Sequence, residues 1–125
     1  MRKAYNAMGV SASGPYSHAV DAGELVFFSG QTAKNSLVNE IKNGDIAAQT
    51  KQCFINLFEV LEEAGLTPND VVKVNVYLTD MKNFTAMNEV YETQFMKPFP
   101  ARTAIAVVAL PLDAEVEIEM IAKRP

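Results

Sequence analysis

Arg102 is the residue with the clearest chemical reach. It stands in "FPARTAIAV", behind Pro98 and Pro100, and no acidic residue follows it until Asp113. A guanidinium presents a planar fork of donors that fits a carboxylate or phosphate bidentately. At the start of a strand, Arg102 shares a face with Ala104 and Ala106, whose small side chains leave room beside it. It reads either as a clamp for an anionic ligand or as one half of a structural ion pair. Local sequence favours the ion pair, the commoner setting for an arginine that is not fully exposed.

Glu117 and Glu119 form a second constellation in "EVEIEM". Two apart on a strand, their Cβ atoms lie roughly 6.6–6.8 Å apart on one face. Paired carboxylates at that separation can move protons or orient water. The competing reading is a solvated strand face. If Arg102 lies beside them, its charge favours the ionised carboxylate, suited to a base and poor as an acid. Tyr16 and His18 share a face in "GPYSHAV", and Tyr16 could donate to a carboxylate or an imine nitrogen. Nothing nearby marks His18 as a base, so it reads as half-buried packing. Gly30, at the end of "FFSGQ", would let the backbone approach a ligand closely, or would simply mark a bulge.

The elements that must position these residues follow from periodicity. "KAYNA" reads as a short strand. "GPYSHAV" and "ELVFFSGQ" read as a hairpin turning at Gly23. "GDIAAQTKQCFINLFEVLEEAGL" reads as a helix with Asp45 as N-cap and Gly65 just past its end. "VVKVNVYLTD" alternates, with Val72, Val74, Val76 and Leu78 on one face. "NFTAMNEVYETQF" is a second helix with Phe84, Met87, Tyr91 and Phe95 as its stripe. "RTAIAVVAL" and "AEVEIEMIAK" are strands joined at "PLD". The order predicts an α+β fold with a mixed sheet and both helices on one face. Several strands are apolar on both faces, Leu25 and Phe27 opposing Val26 and Phe28, and Ile105 and Val107 opposing Ala104, Ala106 and Val108, so the face without helices keeps an apolar surplus, which predicts cover by another copy of the chain. The same pattern places Arg102 on that helix-free face.

Composition narrows the classes. The chain has 125 residues, 49% of them apolar, which suits one domain, 1–125. Its net charge of -4 argues against general nucleic-acid binding. One cysteine and one histidine cannot build a Cys/His zinc site. No apolar leader opens the sequence, and the run "AIAVVALPL" is too short to span a bilayer. A soluble, cytoplasmic protein without membrane contact is the expectation.

In order and spacing, "GPYSHAV", "FFSGQ", "AAQTKQCFINLFEVLEEAGL", "VVKVNVYLTDMKNF", "MNEVYETQF", "FPARTAIAV" and "LPLDAEVEIEMIA" form one pattern over nearly the whole chain. That pattern resembles the RidA/YjgF family of reactive-intermediate deaminases. The resemblance implies a chorismate-mutase-like fold and a homotrimeric, barrel-like assembly with ligand clefts between subunits. It implies hydrolysis of enamines and imines such as 2-aminoacrylate and 2-aminocrotonate to 2-keto acids and ammonia, with no metal or organic cofactor. By the same resemblance, Arg102 grips the substrate carboxylate and Glu117 positions the attacking water. Tyr16 is a site tyrosine, Gly30 and Asn88 line the cleft, and Glu119 is structural. Ala104 falls where close relatives often carry cysteine, so thiol-dependent behaviour is not expected there. His18 falls where glutamine is frequent. The alternative is a non-catalytic trimer that binds a keto acid or other small carboxylate and regulates a partner protein. Ribonuclease activity, proposed for some relatives, fits the acidic balance poorly.

Overall fold

The computed structural model describes residues 1–125. The strands are β1 (Lys3–Tyr5), β2 (Ala19–Asp21), β3 (Leu25–Thr32), β4 (Val71–Leu78), β5 (Ala101–Ala106) and β6 (Val116–Lys123). The helices are α1 (Ile46–Glu63) and α2 (Phe84–Tyr91). One six-stranded sheet has the order β1-β2-β3-β6-β4-β5. Only β4 and β5 pair in parallel, because α2 carries the chain across between them. The sheet is therefore mixed and the fold α+β, as the sequence predicts.

Local chemistry accounts for the element ends. Asp45 caps α1, its carboxylate accepting from the Ala48 N–H at 3.0 Å. Gly65 follows the helix at φ +74°, a conformation that is cheap only without a Cβ. Gly23 turns the β2–β3 hairpin at φ +98°.

One face of the sheet carries Val26, Phe28, Val74, Val76, Leu78, Val116, Ile118 and Met120, all buried with the α1 stripe Cys53, Leu57, Val60 and Leu61. Each such large apolar side chain stabilises the fold by roughly 1.5–3 kcal/mol. α2 joins the same layer through Tyr91, 5.7 Å from Phe54 between ring centroids, and Phe95, which the sequence placed on this helix, packs on Phe54 at 5.6 Å from the turn that follows it. The opposite face has no helix. Phe27 and Ile105 are each 45% exposed there.

Four sequence expectations need correction. The run "GPYSHAV" is a strand only from Ala19, so Tyr16 and His18 lie in irregular chain and share no strand face. Val72 is turned outward, and Val71 takes the buried place, because the β4–β6 register shifts between Val71 and Lys73. β5 ends at Ala106 rather than running on to Leu110. Arg102 does not lie on the helix-free face. β5 is paired in register with β4, Arg102 opposite Val74 and Ala104 opposite Val76, and those valines are fully buried in the helix layer. That parity turns Arg102 toward α2.

Candidate functional site

β5 is an edge strand, so the side chain of Arg102 reaches past the sheet margin onto α2. Its guanidinium carbon lies 4.6 Å from the centroid of the Tyr91 ring and 5.5 Å from that of Phe84. Nη1 donates to Asn88 Oδ1 at 2.6 Å. Phe84, Asn88 and Tyr91 fall at i, i+4 and i+7 of α2 and so share one helix face. The chain's two ion pairs are Lys82–Asp80 and Arg124–Asp21, so the guanidinium has no carboxylate within 4.0 Å. The structural ion pair that local sequence favours is therefore not made within the chain. A hollow of about 390 Å³ opens here, lined by Asn88, Tyr91, Glu92, Phe99, Pro100 and Arg102. An arginine with unmatched donors at the wall of a partly apolar hollow can bind an anion.

Glu117 sits elsewhere. In β6 the side chains of Val116, Ile118 and Met120 enter the core, so Glu117 and Glu119 face the helix-free side. β3 carries one extra residue between Phe28 and Gln31, a bulge at Ser29–Gly30. The bulge brings the Gly30 backbone against Glu117. A Cβ on Gly30 would lie 2.8 Å from Glu117 Oε1 and 3.0 Å from its Cδ. A second hollow, of about 350 Å³, gathers Tyr16, Gly30, Asn35, Pro111, Glu117 and Glu119.

The two carboxylates differ in surroundings. Glu119 Oε1 accepts from Asn75 Nδ2 at 3.2 Å and from the Tyr77 hydroxyl. That bond, with burial, pushes the Tyr77 phenol up to about 12. Glu119 is thus tied to its neighbours, in keeping with a structural role. Glu117 receives no side-chain donor, and burial first, then the charge of Glu119, raises its pKa above the ordinary carboxylate value. The expectation that Arg102 stabilises its ionised form is corrected here: the two residues lie on opposite faces of the sheet. A carboxyl shifted upward takes a proton more readily, which suits a general base.

The structure therefore brings together Tyr16, Gly30 and Glu117 at one hollow and Arg102 and Asn88 at another. Ala104 lies beyond Arg102 on the same strand face and packs against the core. His18 is buried, accepting from Ala7 N–H through Nδ1 at 3.0 Å, so its Nε2 carries the proton and donates to the Ser11 carbonyl at 3.1 Å. It is a structural histidine. Sequence reasoning missed the stacking of Phe84 and Tyr91 on Arg102, having assigned both rings to the core. Their spacing about Asn88 was the available signal. It also missed Asn35 and Pro111, which reach the Glu117 hollow from turns that carry no periodic pattern.

Residues 6–124 match the family model described as Endoribonuclease L-PSP. A RutC family protein of Pyrococcus horikoshii is 49% identical over 109 residues, 87% of this chain and 86% of its own length. A 2-iminobutanoate/2-iminopropanoate deaminase of Dermatophagoides farinae is 44% identical over 86% of this chain and 84% of its own. The crystal structure of RidA from the Antarctic bacterium Psychrobacter sp. PAMC 21119 superposes with a TM-score of 0.91 at 40% identity, covering 98% of this chain and all (100%) of that one. With a match over almost its whole length and the fold of a solved RidA, this chain belongs to the RidA/YjgF family.

Proposed function

We propose that this protein hydrolyses 2-imino acids, and the enamines that tautomerise to them, to 2-keto acids and ammonia. One observation carries the proposal. Arg102 is oriented by Asn88 and two rings, yet has no carboxylate partner in the chain. A 2-imino acid supplies that partner in its own carboxylate. The activity named for the mite relative, 2-iminobutanoate/2-iminopropanoate deaminase, agrees with this substrate class.

The substrate enters as a protonated imine with an anionic carboxylate. Arg102 binds the carboxylate, a charge-assisted contact that contributes roughly 1.5–3 kcal/mol. Glu117 takes a proton from water as the oxygen attacks the imine carbon. Glu117 returns that proton to the carbinolamine nitrogen, the C–N bond breaks as the C=O forms, and the hydroxyl proton passes through Glu117 to the departing ammonia. Water and iminium become keto acid and ammonium. Gly30 and Tyr16 border the reacting end, while Asn88 orients Arg102 and Ala104 lies beside it. Positioning and electrostatics supply the help. Since Arg102 and Glu117 lie on opposite faces of one sheet, a cleft using both needs two copies of the chain. A homotrimer with clefts between subunits meets that need.

The test generates 2-aminocrotonate in situ with a threonine dehydratase and follows 2-ketobutyrate. Acceleration is expected from the intact protein, its loss in Arg102→Ala and a strong reduction in Glu117→Ala. An unchanged rate in Arg102→Ala overturns the assignment. Binding of 2-ketobutyrate without turnover would mark a carboxylate-binding regulator instead.

A further inference from the structure

The face of α2 beneath Arg102 has a composition that core packing alone does not require. Tyr91 is buried, and its hydroxyl meets no hydrogen-bond partner in the chain. The hydroxyl makes no interaction of its own within the chain, so what this side chain does for its neighbours it does through the ring. The ring itself serves two neighbours. One is the core, through Phe54 and Phe95 at centroid distances of 5.7 and 5.4 Å. The other is the Arg102 guanidinium, 4.6 Å above the ring. Phe84, at the start of α2 and only half-buried, gives the same guanidinium a second aromatic contact at 5.5 Å.

A guanidinium on a long side chain has several torsions to lose before it can grip a ligand bidentately. Here the losses are taken in advance. Asn88 occupies one Nη, and the ring faces restrict the plane. With one N–H given to Asn88, four of the five guanidinium donors remain, enough for a bidentate grip. Pre-organisation of this kind improves affinity by lowering the ordering cost of binding.

We infer that Tyr91, assisted by Phe84, is a positioning residue that holds the Arg102 guanidinium in its carboxylate-binding orientation before ligand arrives. This rests on the reading of Arg102 as the carboxylate anchor. It adds that the strength of the anchor is set from α2, by residues that do not touch the reacting atoms. The effect therefore falls on KM, through carboxylate binding, far more than on kcat.

The experiment uses the full chain and two independent readouts. One is the Nε–Hε resonance of Arg102 in the free protein, which an aromatic face shifts upfield. The other is KM and kcat for 2-aminocrotonate, with a 2-ketobutyrate titration alongside. Tyr91→Leu is expected to lose the upfield shift and to raise KM about tenfold, with kcat changed less than threefold. Tyr91→Phe, which restores the ring, is expected to recover most of that loss. Phe84→Leu is expected to raise KM about threefold, and it tests the same idea at a less buried position should Tyr91→Leu fail to fold. An unmoved resonance with unchanged KM in Tyr91→Leu or, failing that, Phe84→Leu overturns the inference. Equal impairment in Tyr91→Leu and Tyr91→Phe also overturns it, because the hydroxyl rather than the ring face would then matter. If the intact protein does not accelerate hydrolysis, the deaminase reading falls alone. The Arg102 resonance then decides between a held guanidinium and a free one.

Discussion

A methyl group at position 30 would sit 2.8 Å from Glu117 Oε1. Something must move, and the carboxylate is the freer partner. Gly30→Ala is therefore expected to reduce imine hydrolysis at least tenfold while leaving the melting temperature within a few degrees of the parent. Comparable activity in the two proteins would show that Glu117 needs no close backbone. Glu117 also carries a pH signature. As a general base it must be ionised, and burial with the charge of Glu119 raises its pKa. The kcat/KM profile should fall on the acid side with a midpoint above the ordinary carboxylate value, and Glu119→Gln should move that midpoint down. The stability consequence has the opposite sense to a salt-bridged acid. The folded state binds this proton more tightly than the unfolded state, so stability is lost as pH rises through the raised pKa. Glu117→Gln should melt higher than the parent at pH 7 and lose that advantage near pH 4. At this scale the sequence singled out Arg102, Asn88, Tyr16, Gly30 and Glu117, which line the two hollows, but not where Arg102 points. β5 is apolar on both faces, so its alternation cannot choose between them. The choice comes from its pairing with Val74 and Val76 on β4, which is a property of the sheet.

The elements were largely legible because their signals are local. Asp45 before an apolar stripe, Gly65 after it and Gly23 between strands each act within a few residues. What was not legible depends on partners distant in sequence. The Ser29–Gly30 bulge exists only against β6, and the outward turn of Val72 only against the β4–β6 register. Two predictions belong here. Asp45→Ala removes the carboxylate that accepts from Ala48 N–H, and should lower stability by about 1 kcal/mol in urea unfolding. The second concerns the far end of β6. Arg124 Nη2 meets Asp21 Oδ2 on β2 at 2.5 Å, Nη1 donates to the Ala64 carbonyl, and the Tyr5 hydroxyl on β1 donates to Asp21. This knot joins the short edge strands to the end of α1. Arg124 first, then the Gly23 N–H, holds the Asp21 pKa down to about 2. A depressed carboxyl pKa contributes stability above its ordinary value and loses it as pH falls toward 2. The melting temperature of Asp21→Asn should therefore trail the parent at pH 6 and meet it near pH 2. A gap that persists at pH 2 would mean that the ion pair is not its source.

Over the whole molecule the fold separates the residues that the proposed hydrolysis would combine. Arg102 and Asn88 lie in the helix layer beyond the β5 edge, whereas Glu117, Gly30 and Tyr16 lie on the open face near the middle of the sheet. No rotation of a side chain carries Arg102 through the sheet to Glu117. The open face also exposes Phe27 and Ile105, a surface that a second copy would bury favourably. A head-to-tail ring would set the Arg102 side of one copy against the Glu117 side of the next and repeat that cleft at every interface. Light scattering should then find a trimer at micromolar concentration. The decisive measurement mixes two inactive variants. Arg102→Ala retains every Glu117, and Glu117→Ala retains every Arg102. Refolded together in equal amounts, they assemble at random, and about one interface in four pairs an intact arginine with an intact glutamate. About a quarter of the parent activity should return, although neither variant has it alone. Activity that stays at the level of the separate variants, in mixtures shown to have exchanged subunits, would mean that no cleft is shared and that Arg102 and Glu117 serve different sites.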